Sequence, residues 1–472
     1  MAGMKGLITN TAGDTIEFPI LSSMKEGLTP IEYFITTHGS RKGLTDTALN
    51  TAKAGYLTRK LFVVAQDTMI SEDDCGTSEC IVVKKTDSTT GIEISFSKNI
   101  RSRVLAKDAV DKEGVVLFPK GHLITKGDAI KIQESSLVEV SVRSPLMCET
   151  VHGICAQCYG FDLGKNMMIG LGEAVGTVAA QAIGEPGTQL TMRTFHAGGT
   201  ASVGGDITQG LPRVEEIFEK RSPKNPAIVS KVNGTLTDIK DLGKEKVMII
   251  TPDVEDRGKG KNAGSIEYTF SPNRMPLVKV GDAVRRGDVL TDGSVDIDEL
   301  FDYGSKEKAQ SYIISEVGKP YELQGETVAR KHIEVIVRQM FSRRKIEEVG
   351  ATPFSIGDVV SAKELQMENE IAIGNGLEPA KAIPLVMGIS EVSLSKKNFL
   401  SAASFQHTTR ILINAAIRGN KDKLVGLMEN VIIGRLIPAG SGLKGSAKWQ
   451  IIEDVRNKVV PEVVLGEAEV GE

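Results

Sequence analysis

Between residues 184 and 199 the chain reads Gly-Glu-Pro-Gly-Thr-Gln-Leu-Thr-Met-Arg-Thr-Phe-His-Ala-Gly-Gly, a stretch with glycine at both ends and several chemistries between them. Gln189 offers an amide, Met192 a soft apolar side chain, Arg193 a guanidinium and His196 an imidazole. Together these suit the hydroxyls, base face and phosphates of a nucleotide. Gly187 and the pair Gly198-Gly199 let φ change sign at little steric cost, as a segment that rearranges over a ligand requires. Composition alone also allows a plainer reading, a glycine-flanked helix whose polar side chains are solvated.

The cysteines are the second candidate. Five are too few for a disulfide scaffold and enough for one metal site. Cys148, Cys155 and Cys158 include one CxxC knuckle, and Cys75 stands far upstream behind Asp73-Asp74, with Cys80 as a competitor for the same role. Redox chemistry is the rival use of CxxC, but no thioredoxin-like strand and helix surround it and a third cysteine precedes it. Four thiolates close a tetrahedral site of the kind structural zinc prefers, leaving no position for a reactive water.

The elements that must position these groups begin at Thr29-Pro30-Ile31-Glu32. Thr is a good N-cap, Pro fits the first helical position, and Glu three residues on completes a capping box. Good helix formers continue to about Gln66 without a proline, so an uninterrupted helix would run roughly 37 residues, about 55 Å. Gly39, Gly43 and Gly55 each cost about 1 kcal/mol inside a helix and call for a reason, such as bending or close approach of another backbone; breaks at Gly39 or Gly43 are the alternative. Residues 81–145 alternate short β-like runs (Cys80–Val83, Ile92–Phe96, Val138–Val142) with turns and predict a small α+β insertion. Small residues at helical spacing over 172–183 predict a closely packed helix leading into the 184–199 stretch, and Leu211–Phe218 predicts another, with Pro212 in its first turn. Pro223 and Pro226 mark a boundary to a strand-rich region, 227–320. Within it, Val280-Gly-Asp-Ala-Val-Arg-Arg-Gly-Asp-Val-Leu290 has the form of a barrel-sandwich-hybrid turn, without the exposed lysine motif of a biotin or lipoyl carrier. The last third is helix-rich, with a β-like patch near Ile356–Val360 and an acidic tail from Glu462.

Length allows two to four domains. A net charge of −4 argues against a free-standing nucleic-acid binder, while Arg41-Lys42, Arg59-Lys60 and Arg343-Arg344-Lys345 could form local basic faces. The opening Met-Ala-Gly-Met-Lys-Gly-Leu lacks a basic-then-apolar leader, and no run approaches a membrane span, so a cytoplasmic location is expected.

The 184–199 stretch resembles the trigger loop of the largest subunit, β′, of bacterial DNA-dependent RNA polymerase. Tyr33 through Arg59 is similar to its bridge helix. Asp73-Asp-Cys-Gly-Thr77 with Cys148, Cys155 and Cys158 resembles its second zinc site, and Leu400–Arg410 and Leu427–Gly442 resemble its C-terminal core. The resemblance covers almost the whole chain in the family order. It implies a multi-domain α+β chain: a bridge-helix region (1–70), a zinc module with an insertion (71–165), trigger-loop helices (166–222), a β-rich jaw (223–320), a helical core with a switch segment and a contact to the ω subunit (321–450), and a tail (451–472).

The resemblance further assigns zinc to Cys75, Cys148, Cys155 and Cys158, places Thr51 and Ala52 by the forming base pair, and gives Lys53, Gly55, Tyr56 and Arg59 to template contacts. It implies that 189–200 folds over a nucleoside triphosphate, with Met192 on the base, Gln189 and Arg193 near ribose and phosphates, and His196 at the triphosphate as general acid or electrostatic stabiliser. The family's Asn-Ala-Asp-Phe-Asp-Gly-Asp motif, which binds catalytic Mg²⁺, is missing from these residues. The chain therefore reads as a C-terminal half, a fragment or a split-gene product, expected to work only with the N-terminal half, β, the α dimer, ω, a sigma factor, DNA and RNA. A non-catalytic, zinc-stapled scaffold or degenerate paralogue docking on polymerase is the alternative.

Overall fold

The computed structural model describes the chain except residues 1–2, 9, 11–14, 86–95, 112–113, 198–209, 224–225, 244, 254–264, 273 and 460–472; at 189–197, 447 and 457–459 it describes the helix and not the side chains. The principal helices are α1 (Pro30–Ala65), α2 (Val175–Ala197), α3 (Gly210–Phe218), α4 (Lys306–Leu323), α5 (Arg330–Met340) and α6 (Leu427–Ile433).

The start of α1 is fixed by its capping box. Thr29 Oγ1 accepts from the Glu32 amide at 3.4 Å while Glu32 Oε2 accepts from the Thr29 amide at 2.9 Å. The same carboxylate accepts from the backbone of Leu21 and Ser22, tying the hairpin of Met4–Gly6 and Ile20–Ser23 to the helix entrance. These bonds, the Thr29 amide first and Ser22 next, hold the Glu32 carboxyl down at about 2. No break occurs at Gly39 or Gly43, and the helix keeps all 36 residues, about 54 Å. Gly39 and Gly43 lie on its buried face with Glu32 and Thr36, whereas a Cβ on Gly55 would meet nothing within 4 Å. Thr37, Thr45, Thr47, Thr51 and Thr58 each turn their hydroxyl onto a carbonyl three or four residues back, which lets a polar helix satisfy itself and favours curvature.

The chain divides into two compact units, each assembled from separated stretches. Unit 1 comprises Met1–Arg59, Ile183–Val328 and Gln339–Val392. Its sheet has four antiparallel strands, spatially Ile266–Phe270, Lys246–Pro252, Gly234–Asp241 and Ala283–Val284, closed over Leu236, Met248, Ile250, Tyr268 and Phe270. The strands end at Val295. Ile297–Tyr303 and α4 follow, so the part of the expected β-rich stretch beyond 296 is helical. Here Ile313, Ile314, Val317 and Tyr321 recur at helical spacing and are buried, a period that overrides the strand-like surroundings. A second sheet pairs Arg343–Glu348 with Val359–Ser361 on one side and Lys381–Leu385 on the other. Arg343 is thereby buried, and Lys60 of α1 likewise, so neither contributes to the basic faces expected from their runs.

Unit 2 comprises Lys60–Ala182, Ala329–Arg338 and Ser393–Glu472. The insertion pairs Ile81–Lys84 with Glu139–Val142 in antiparallel register and packs the helices Phe96–Ile100 and Lys126–Glu134 on them through Ile100, Ile132 and Val142. The strand expected at Ile92–Phe96 falls mostly outside the described residues, and Phe96 opens a helix. At the far end, the helix Ala447–Val459 occupies the beginning of the expected tail, whose acidic part lies outside the described residues.

α1 and α2 approach closely in both units. In unit 2 a Cβ on Gly176 would stand 1.8 Å from the Ala65 carbonyl oxygen, and in unit 1 one on Gly184 would stand 2.3 Å from Thr58 Oγ1. Only glycine fits at either place, which accounts for the small residues read at helical spacing.

A four-cysteine centre and an exposed helix face

The cysteine centre is built by a parallel strand pair in which Ile70 faces Ile154 and Glu72 faces Cys155. The Ile154 amide donates to the Met69 carbonyl at 2.9 Å and the Gln157 amide to the Asp73 carbonyl at 3.0 Å, lacing residues 69–75 to the CxxC knuckle. Gly153 makes this possible, since its φ is +83° and a Cβ there would stand 2.0 Å from the Met69 oxygen. The sulfurs of Cys75, Cys148, Cys155 and Cys158 consequently lie within 4.8 Å of one another. Cys75 is 3.7 Å from Cys158 and 3.9 Å from Cys148. A tetrahedron with about 2.3 Å Zn–S bonds has S–S edges of about 3.8 Å, so these thiols fit zinc without rearrangement. Cys80 stands outside the cluster and, like Cys75, is half-buried.

Backbone amides point at the sulfurs as a knuckle requires: Cys155 donates to Cys148 Sγ at 3.4 Å and Cys158 to Cys155 Sγ at 3.3 Å. Without a cation the crowded thiols part in acidity. Hydrogen bonds from Cys155 and Cys158 hold Cys148 far below the usual thiol range, while its own bond to Cys148 pushes Cys155 up to about 11. Four adjacent thiolates thus need a cation, and a divalent ion would leave two negative charges. Arg143 supplies compensation, with Nη2 at 3.4 Å from Cys75, 3.3 Å from Cys158 and 2.7 Å from Asp74. Arg338 of α5 donates to the carbonyls of Cys148 at 2.9 Å and Gly153 at 2.6 Å, gripping the loop between the ligands.

Sequence reasoning missed these arginines and the network behind them. Glu334, fully buried on α5, accepts from both Arg103 Nη1 at 2.9 Å and Arg103 Nη2 at 2.5 Å, and from Ser144 Oγ at 2.7 Å. Lys331 and His332 are also nearly buried, with Lys331 Nζ 4.3 Å from the Tyr159 ring centroid. Nothing in Arg330-Lys-His-Ile-Glu-Val-Ile-Val-Arg338 signals it: at helical spacing Arg330, Lys331, Glu334 and Arg338 gather on one side, as on an ordinary solvated face, and only the packing shows Lys331 and Glu334 to be buried there.

Along α1 the structure separates two faces. Ala54, Leu57 and Leu61 are buried, while Ala52, Lys53, Gly55, Tyr56 and Arg59 are exposed and Thr51 is half-buried. The expected nucleic-acid contacts therefore share one outward strip. Gln189, Met192, Arg193 and His196 lie on the last two and a half turns of α2, whose backbone is helical through Ala197; their side chains, and Gly198-Gly199, are outside the described residues. Among the described residues, no helix is long and apolar enough to cross a membrane.

The family described as RNA polymerase Rpb1, domain 5, matches residues 27–397. The chain is 45% identical over 458 residues to the DNA-directed RNA polymerase subunit beta' of Thermoanaerobacter sp. (strain X514), covering 97% of this chain and 38% of that protein. It is 48% identical over 444 residues to the subunit of the same name from Caldicellulosiruptor saccharolyticus, covering 94% of this chain and 37% of the relative. With the Finegoldia magna subunit it shares 46% identity over 470 residues, 99% of this chain and 38% of the relative. The chain thus spans less than two fifths of the length of these relatives, and by the extent of the match it belongs to the RNA polymerase Rpb1, domain 5, family.

Proposed function

We propose that this chain serves in a DNA-directed RNA polymerase, contributing α1 as the bridge helix and α2 with α3 as the trigger-loop helices in template-directed RNA synthesis. The observation that carries the reading is the junction of α1 and α2 in unit 1. Thr58 meets Gly184 there, so the helix bearing His196 is seated against the helix whose exposed strip, Ala52 to Arg59, would face nucleic acid. Both groups needed for nucleotide addition then spring from one contact.

In this reading Lys53, Tyr56 and Arg59 hold the template by charge and stacking, while Thr51 and Ala52 leave room for the nascent base pair. Met192 and His196 are one helical turn apart on α2 and address one nucleotide together, Met192 at the base and His196 at the phosphates. Gln189 and Arg193 meet ribose and phosphate. A protonated His196 stabilises the charge that develops on the leaving pyrophosphate or delivers a proton to it. Mg²⁺, when bound by the aspartate-rich motif of the family, supplies Lewis-acid chemistry. Zinc held by Cys75, Cys148, Cys155 and Cys158 acts as a structural staple, since all four positions are filled by protein.

Exposed apolar side chains fit an assembled state. Ile31, Tyr33, Phe34, Leu44 and Leu49 on α1, and Val431, Ile432, Ile433 and Leu436 on and after α6, are each half or more exposed, more than a solitary chain ordinarily presents. The partners proposed are the remainder of β′, β, the α dimer, ω and, during initiation, sigma, in the cytoplasm. Reconstitution with those subunits followed by template-directed elongation tests the reading: RNA extension should require this chain. Extension that proceeds equally without it would leave the chain a docking scaffold.

A further inference from the structure

The stem of α2 is a weak place in a helix. Pro186 removes the amide that would reach the carbonyl of residue 182, and Gly184 and Gly187 flank it. Propensity cannot hold such a turn in one direction, so something outside it must. In unit 1 that something is the last turn of α4. Tyr321 is fully buried, and its hydroxyl donates to the Ile183 carbonyl at 2.9 Å, one turn before the proline-glycine pair. Burial also raises the phenol's acidity range, so it remains a donor at any working pH. The neighbouring Pro320 lies 3.5 Å from the Cβ position of Gly210, where α3 begins, and Leu211 packs 3.4 Å from that of Gly187. One turn of α4 therefore holds the described residues on both sides of 188–209.

We infer that Tyr321 is a positioning residue for nucleotide addition: its hydroxyl, bonded to the Ile183 carbonyl, fixes the direction in which α2 leaves Pro186 and hence where Met192, Arg193 and His196 stand. The inference rests on the function proposed above. A hydroxyl committed to a side-chain-to-backbone bond in a closed core has no need of that polarity for packing alone; phenylalanine would fill the same volume.

The test is single-nucleotide addition in the reconstituted polymerase with Tyr321→Phe, Val317→Ala and His196→Ala. Tyr321→Phe keeps the ring and removes only the bond, so the maximal addition rate should fall about 3- to 10-fold, the range a net hydrogen bond commands. Apparent nucleotide affinity should change less than twofold, and amide exchange at 183–188 should quicken. Val317→Ala loosens the same buried face of α4 while keeping the Tyr321 hydroxyl, and should leave the rate within twofold of the parent. A normal rate for Tyr321→Phe beside a slowed His196→Ala overturns the inference alone. Equal slowing by Val317→Ala overturns it too, by showing that general loosening suffices. A normal rate for His196→Ala overturns the functional reading, and this inference with it.

Discussion

Removing Arg103 should cost unit 2 more than any surface change of similar size. Glu334 has no exposure and depends on Arg103 for two of its hydrogen bonds, with Ser144 giving a third and Arg330 lying 3.5 Å away. Arg103→Ala leaves a buried carboxylate facing one hydroxyl and a more distant guanidinium. Breaking such a pair from one side costs about 3–5 kcal/mol, roughly two to three and a half powers of ten in the local folding equilibrium. Replacing both partners by methionine removes both desolvation penalties and should cost clearly less than either single change. Burial alone would raise the Glu334 carboxyl, but Arg103, Arg330 and Ser144 more than reverse this and hold it below the usual range. Its contribution is accordingly present above the ordinary glutamate range, about 4.3, and is lost as pH falls below it. Because a chain of two units need not unfold in one step, the readout is amide exchange in α5 of the zinc-loaded chain, measured against urea. A single-variant cost under about 1 kcal/mol, or a double variant worse than the two singles added, would refute the reasoning.

Cys155→Ser or Cys158→Ser should release about one zinc per chain and loosen residues 75–160, which metal analysis with limited proteolysis would show; well-folded parent chain free of zinc would sink this. Gly184→Ala should destabilise the α1–α2 contact by about 1–3 kcal/mol and be partly restored by Thr58→Ala, whereas Gly55→Ala, with open space around it, should strengthen α1 by about 1 kcal/mol and alter translocation; identical thermal melting for both alanines would contradict the packing. Among the described residues Glu429 Oε2 and Asp67 Oδ1 are buried without a donor, and both face Gly426, 2.9 and 2.3 Å from its Cβ position, while Lys396 already neutralises Asp67. Burial, then the Asp67 and Asp422 charges, raise the Glu429 carboxyl, so its contribution is full below about pH 4.3 and is lost as pH climbs through the raised value. Glu429→Gln, which mimics the protonated form, should flatten that loss in a pH series of urea melts, and a uniform destabilisation above about 1 kcal/mol would speak against a raised Glu429 carboxyl.

What the sequence made legible was local or stoichiometric. The start of α1 follows from Thr29, Pro30 and Glu32 alone, because a capping box needs no tertiary partner. Its continuity past Gly39 and Gly43 follows from their place on the buried side, which residue order does not reveal. Cys148, Cys155 and Cys158 announced a metal by spacing, which left Cys75 and Cys80 open; resemblance chose Cys75, and the contact that brings it there is a parallel pairing of residues 70–72 with 154–155, across some eighty positions. The arginines around the sulfurs and the buried Lys331, His332 and Glu334 escaped for the opposite reason. Polar residues are read as solvated unless a partner is known, and their partners lie in distant stretches. The helical end of the 223–320 stretch was hidden by the strand pattern before it.

The central claim is that residues 189–197 act on a bound nucleotide from the end of a helix seated on α1. Quenched-flow measurement of single-nucleotide addition by the reconstituted polymerase addresses it with Met192→Ala and His196→Ala. A group that acts on an already paired substrate contributes to the maximal rate more than to binding, so both variants should lower the rate well beyond any loss of nucleotide affinity. A rate unchanged by both substitutions would contradict the account.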